Sequence, residues 1–239
     1  MKNISYQFLF LLLVSCGGGS ERSEEPLNQN SITPSEIASA INAEAEHTQD
    51  LIVRDKLNYQ VTSSRALMSD GISGVDTYEL IRNFGGPGAI ETPDLYPINH
   101  PFVRHIIEDT NESVGHHFVF KLHRDIDRDR DREEITDRQR NEIKTYAQSE
   151  DAVKGFEDEI VIFTWKFYIP VELSLSTRFT HFFQLKAVGG NDSHPILTLT
   201  GNNRSGGDGY EIRHSPHNYD TELARVPRSK LDGRWMRAY

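Results

Sequence analysis

The chain of 239 residues holds one cysteine, Cys16, three methionines and two tryptophans. With a single cysteine there is no internal disulfide, so the fold must stand on packing and polar contacts alone. Long apolar runs are missing too. The stretch 8–14 (FLFLLLV) is far short of the roughly twenty residues a permanent membrane-spanning helix needs. Positive charge is in short supply: 26 Lys and Arg stand against 36 Asp and Glu, a formal net charge of −10. This excludes global attraction to nucleic acid or to an anionic membrane surface, so an anionic ligand has to be held by a local basic patch.

The lone cysteine has a setting of its own. Lys2 supplies a charged start, residues 8–14 an apolar segment, and Leu13-Val14-Ser15-Cys16 reads as a lipobox. This resembles a bacterial lipoprotein signal, with residues 1–15 removed and Cys16 lipidated. Gly17 after the cysteine gives no inner-membrane retention signal, so the expected location is the cell envelope, anchored at the outer membrane through Cys16 alone. Residues 16–34 are Gly, Ser, Glu, Asn and Pro with few apolar side chains, the composition of a flexible tether. Residues 35–100 read as a region of helix and loop, with a modest helix over 35–53 after a Thr33-Pro34-Ser35-Glu36 start.

From 101 to 239 the pattern changes to short β-type runs at 117–123, 138–146, 160–169, 178–188, 195–200 and 209–214, separated by Gly, Asn and Asp turns. None has helical periodicity. The expected fold is therefore all-β, an antiparallel β-sandwich or jelly roll behind a poorly structured N-terminal tether, expected as a monomer. The final run, residues 234–239, reads like the middle of a strand, which predicts a domain shorter than its relatives.

Two runs carry the functional reading. Strict alternation over 138–146 puts Arg138, Arg140, Glu142, Lys144 and Tyr146 on one face of a strand. Over 179–188 it puts Thr180, Gln184 and Lys186 on one face and Phe179, His181, Phe183 and Leu185 on the other. Side by side, the two would form a cationic floor for an acidic sugar polymer. Arg138-Gln-Arg-Asn-Glu-Ile-Lys144, Trp165-Lys-Phe167 and Thr180-His-Phe-Phe-Gln-Leu-Lys-Ala-Val-Gly-Gly190 together resemble polysaccharide lyases of the concanavalin-like jelly-roll type, the alginate and heparin lyases among them. In the alginate-lyase branch an Arg-x-Glu strand faces substrate, a Gln-x-His strand supplies a neutralising amide and a base, and a catalytic tyrosine strand follows. Arg140 and Glu142 match the first and Gln184 the amide. Lys186 stands at the histidine position, and the tyrosine strand would fall near or beyond Tyr239.

The resemblance implies β-elimination on a uronic-acid polymer. That chemistry needs donors on the carboxylate to stabilise the developing enolate-like charge, roles that Arg138, Arg140 and Gln184 can fill. A base must take the C5 proton and an acid must protonate the leaving oxygen. Lys186, Tyr146 and His214 compete for these roles, with Arg138, Glu142, Lys144, Thr180 and His214 as substrate-binding side chains. The competing function is a non-catalytic carbohydrate-binding lipoprotein on the same fold. A laminarinase-type hydrolase would want several carboxylates on one strand, which no run supplies.

Bland alternatives stand beside each of these. The Arg-Glu-Lys ladder is equally the pattern of a solvated outer face. His181 reads as a core histidine, unless a bulge reverses its side. Alternating aspartates at 125, 127, 129 and 131 suggest calcium, but they lack the glycine and distal glutamate of an EF-hand loop and are interleaved with arginines. No cofactor is expected, with calcium the minority alternative, and His116-His117 lacks further ligands at a metal-binding spacing.

Overall fold

Strands dominate, and every pair of them is antiparallel. The computed structural model describes residues 5–11 (backbone), 64–95, 101–124, 126–189, 194–204, 207–215 and 220–238. The tether, the helix expected over 35–53 and Cys16 lie outside these. An eight-stranded sheet is built from β1 (Ser5–Leu11), β2 (Ile90–Glu91), β5 (Glu142–Lys144), β6 (Gly155–Phe156), β8 (Thr180–Val188), β9 (Leu197–Arg204), β10 (Gly207–His214) and β11 (Thr221–Pro227). Its order is β11-β10-β9-β8-β1-β5-β2, with β6 paired to β1. Two two-stranded pairs complete the strands: the hairpin of β3 (Ile106–Asn111) with β4 (Gly115–Phe120), and the long-range pair of β7 (Trp165–Tyr168) with β12 (Trp235–Ala238).

Register assigns the faces of the sheet, because directly opposed residues point the same way. Phe183 pairs with Leu199, Thr180 with Gly201, and Gly201 with Tyr210. This apolar face is covered by the two strand pairs and the segments around them. At one end Ile143 packs with Ile106, Phe120, Ala89, Tyr78 and Ile81. At the other, Phe182 and Tyr210 pack with Ile169, Leu173 and Leu175. Trp165 of β7 stacks on Phe183, with centroids 4.6 Å apart, and His117 of β4 meets Trp235 of β12 edge-on at 5.2 Å. The result is a two-layer, all-β sandwich whose second layer is made of two-stranded antiparallel pairs.

One helix contributes to the first core. In α1 (Thr77–Gly85), Asp76 caps the N-terminus by accepting from the backbone N–H groups of Tyr78 (3.1 Å) and Glu79 (3.2 Å), and Gly86 at φ 93° ends it. The chain before α1 is tied to β3 by the buried carboxylate of Glu108. That group accepts from Ser69 Oγ (2.7 Å), the N–H groups of Asp70 (2.8 Å) and Gly71 (3.2 Å), and Thr77 Oγ1 (3.0 Å). A short second helix, α2 (Arg228–Leu231), connects β11 to β12.

Strict alternation fails in β8. Its register with β9 slips between His181 and Phe183, leaving Phe182 as the extra residue of a β-bulge. Both phenylalanines are thereby buried, and the residues before the bulge change sides. A Cβ on Gly201 would lie 2.7 Å from Leu175 Cδ2 and 2.9 Å from Phe182 Cε2, so the bulged ring fits only because that position is glycine.

Candidate functional site

The face of the sheet opposite the hydrophobic layer is polar, and the strand register fixes its members. Glu91 opposes Glu142, while Lys144 and Gln184 both oppose Leu9. Gln184 opposes Thr198, His181 opposes Thr200, and Thr200 opposes Glu211. In register His181 and Gln184 are thus next neighbours on one face, with Thr198 and Thr200 beside them. The expected pairing of Thr180 with Gln184 and Lys186 is corrected: Thr180 is buried on the apolar face, its Oγ1 accepting from the Ser176 N–H at 3.3 Å. His181, expected in the core, lies on the polar face instead.

The strand expected over 138–146 shrinks to Glu142–Lys144. Arg138 falls outside it, exposed, and makes a two-pronged pair with its neighbour Asp137 at 2.9 Å on each prong. The two functional strands do not touch. Between β5 and β8 runs β1, drawn from the segment whose sequence reads as a leader, so Lys144 and Gln184 sit two strand spacings apart, about 9.5 Å.

Arg140 is the hub of the site's charges. Its Nη1 lies 3.2 Å from both Glu91 Oε2 and Glu142 Oε1, and its Nε lies 2.8 Å from Asp129 Oδ1. Glu91 also receives Arg130 Nη1 at 2.6 Å and the Lys144 ammonium. Sequence reasoning missed Glu91, which sits in a two-residue strand, and it read Asp129 only as part of an alternating-aspartate calcium candidate, not as a partner of Arg140. Burial, reinforced by the hydrogen bond it donates to neighbouring Glu91, pushes the Glu142 carboxyl up, against the pull of Arg140. Burial opposes ionisation of Glu91 as well, but the bond from Glu142 and the charges of Lys144 and Arg130 hold it down. Of the two carboxyls, Glu142 is the one whose burial and contact with Glu91 favour the protonated form. Three cations (Arg130, Arg140, Lys144) then face two carboxylates (Glu91, Asp129), and this corner keeps one uncompensated positive charge.

His181 is set up differently. Its Nδ1 lies 2.8 Å from Thr200 Oγ1, and Thr200 in turn donates to Thr198 Oγ1 at 2.8 Å. Because the hydroxyl proton of Thr200 is committed to Thr198, its oxygen accepts from His181 Nδ1–H, which leaves Nε2 the unprotonated nitrogen. Burial, aided by the Arg140 charge, pulls the imidazole down to about 4, so it is neutral at pH 7. Phe179 stacks on it at 4.6 Å.

The other expected residues are spread around this face. Tyr146 Oη accepts from the Gly88 N–H at 2.7 Å, beneath the 86–88 turn. Lys186 and Gln184 are half-buried on β8, and among the described residues Lys186 makes no ion pair. His214 ends β10, opposite Leu197 and Thr221. Beside Arg140 a concavity of about 470 Å³ is lined by Arg130, Arg132 and Arg138 together with Asp129, Glu134 and Asp137. A small polar ligand fits that volume. Comparison with known proteins returned no matching family model, no matching curated protein and no matching solved structure.

Proposed function

We propose that the chain binds an acidic, uronic-acid-containing polysaccharide along the polar face of its large sheet and cleaves it by β-elimination. The observation that carries this reading is the β8 bulge, which sets the His181 imidazole and the Gln184 amide on one face of the sheet. The amide can donate to a uronate carboxylate while Nε2 takes the C5 proton, and the uncompensated charge around Arg140 attracts the polymer's anions. Tyr146 and Lys186 are the candidates for the acid that protonates the leaving oxygen.

A second reading, a non-catalytic carbohydrate-binding module on this fold, also has support. Among the described residues the ion pairs of Arg140 run to Glu91, Asp129 and Glu142, which makes its guanidinium an internal strut rather than an open clamp. Arg138 and Lys186 would then serve binding alone. The jelly-roll assignment, anchorage at the outer membrane through Cys16 and action as a monomer belong to this proposal too, with no cofactor taking part in the elimination itself.

The test is incubation of purified protein with alginate, heparin-type glycosaminoglycans, glucuronan, ulvan and pectate, following absorbance of the unsaturated uronate. A rise with one polymer, lost in His181→Ala and reduced in Gln184→Ala, supports elimination at this face. Affinity-gel retardation with no absorbance change favours the binding module, and absence of both refutes the proposal.

A further inference from the structure

His105, His123 and Asp127 bring three ligand-type atoms together beside the site just described. His105 Nε2 lies 3.1 Å from His123 Nδ1 and 3.2 Å from Asp127 Oδ2, and His123 Nδ1 lies 3.4 Å from the same carboxylate oxygen. A tetrahedral ion with bonds of about 2.0–2.1 Å separates its ligand atoms by about 3.3 Å. The triangle has the size of one face of that tetrahedron. We propose that these residues form a divalent transition-metal site of the zinc type, with two imidazoles, one carboxylate and a solvent-facing fourth position.

The surroundings are those of a built site. His105 Nδ1 lies 3.0 Å from Asp94 Oδ1, so the carboxylate orients the ring and turns Nε2 toward the centre. Asp94 is itself held by Tyr78 Oη at 2.6 Å and by the His105 backbone N–H at 2.9 Å. Asn141 Nδ2 donates to the carbonyls of His105 (2.9 Å) and Lys121 (2.7 Å), and Gln139 Nε2 to those of His123 and Asp127 (3.1 Å each). Asp127 N–H and Ile126 N–H close a turn on the His123 carbonyl. The His105 and Asp127 side chains are fully buried, whereas His123 is 38% exposed, which leaves its side of the triangle open to water. Two nitrogens and one oxygen suit Zn²⁺ better than Ca²⁺ or Mg²⁺, which take oxygen shells. The charge balances as well, since Asp94 and Asp127 offset a dication. The sequence hides the set: the ligands lie 18 and 4 residues apart, and the aspartate sits among alternating charges.

The test uses full-length protein stripped with a chelator, then titrated with Zn²⁺ by calorimetry and with Co²⁺ by absorbance. The expected result is one equivalent of each, with a four-coordinate Co²⁺ spectrum. His123→Ala removes a half-exposed ring without opening the core and should weaken Zn²⁺ at least tenfold. Asp94→Asn, which touches no metal, should weaken it by about 10- to 100-fold. His117→Ala should leave binding unchanged. Absence of binding, as expected if a proton rather than a metal joins His105 to Asp127, overturns the proposal, and so does unaltered affinity in His123→Ala. Should that variant fail to fold, wild-type melting decides: Zn²⁺ raises the midpoint of the stripped protein if the site exists, and an unshifted midpoint overturns it.

Discussion

Replacing Glu142 by glutamine tests the shared-proton arrangement, because glutamine keeps the shape and the donor of a protonated carboxyl but cannot ionise. Glu142 is 1% exposed and hydrogen-bonded to Glu91, and its folded pKa is raised from 4.5 to about 8. A raised value means that the folded state holds a proton the unfolded chain has released. Stability from this group is therefore fully present below pH 4.5 and is lost as pH climbs toward 8, by at most about 1.4 kcal/mol per pH unit. Glu142→Gln lacks that slope. Urea denaturation of both proteins at half-unit steps from pH 5 to 9 should show wild type losing ground steadily, with the variant level or slightly weaker at pH 5 and the more stable at pH 8.5. Histidines titrating in the same range cancel in the difference. Parallel curves would refute the reasoning: they would mean that Arg140, 3.2 Å away, keeps Glu142 ionised, and that the corner carries no surplus positive charge.

Further outcomes follow from single contacts. Glu108→Ala strips the acceptor from two hydroxyls and two backbone N–H groups and should destabilise by about 3 kcal/mol, read as a shifted denaturation midpoint. Gly201→Ala drives a methyl against Leu175 and Phe182 and should lower stability by about 1–3 kcal/mol, while an unchanged midpoint would contradict the tight bulge. Thr200→Val removes the acceptor that fixes the His181 tautomer; it should cut turnover of a cleaved polymer more than its binding, with equal losses indicating structural damage. Intact mass settles the two roles of the N-terminal segment: processing before Cys16 gives a chain without Ser5–Leu11 and leaves β5 and β8 without their shared partner, whereas a retained segment keeps β1 in the sheet.

The all-β antiparallel architecture was legible because composition and turn spacing are averaged over many residues, and averages survive local slips. Side-chain direction within one strand has no such protection. In β8 a single extra residue inverted the faces of Thr180 and His181, and the signal was the adjacent pair Phe182-Phe183. Two phenylalanines in a row cannot both reach one core on a regular strand, so their joint burial demands a bulge. Over 138–146 alternation was read across a segment of which only Glu142–Lys144 pairs as a strand, which is why Arg138 turned to Asp137. Glu91 was illegible for another reason. Its strand is two residues long, behind a Gly-Pro turn, and its importance comes from distant partners, Arg130, Arg140, Glu142 and Lys144.

The segment 139–142 shows how these pieces depend on one another. Gln139 and Asn141 donate to the backbone carrying His105, His123 and Asp127, while Arg140 and Glu142, the alternate residues, belong to the carboxylate network. Asp129 lies two residues after Asp127 and grips Arg140 by both a backbone bridge and a 2.8 Å ion pair. An ion that fixes Asp127 therefore also fixes the loop that aims Asp129, and with it the guanidinium that contacts both Glu91 and Glu142. On this geometry a chelator should change the pH dependence of stability as well as its level. Disorder at Asp129 would weaken the pull of Arg140 on the shared proton and raise the pH at which Glu142 ionises. An unchanged pH profile in chelated protein would separate the two sites and leave 139–142 as a passive scaffold.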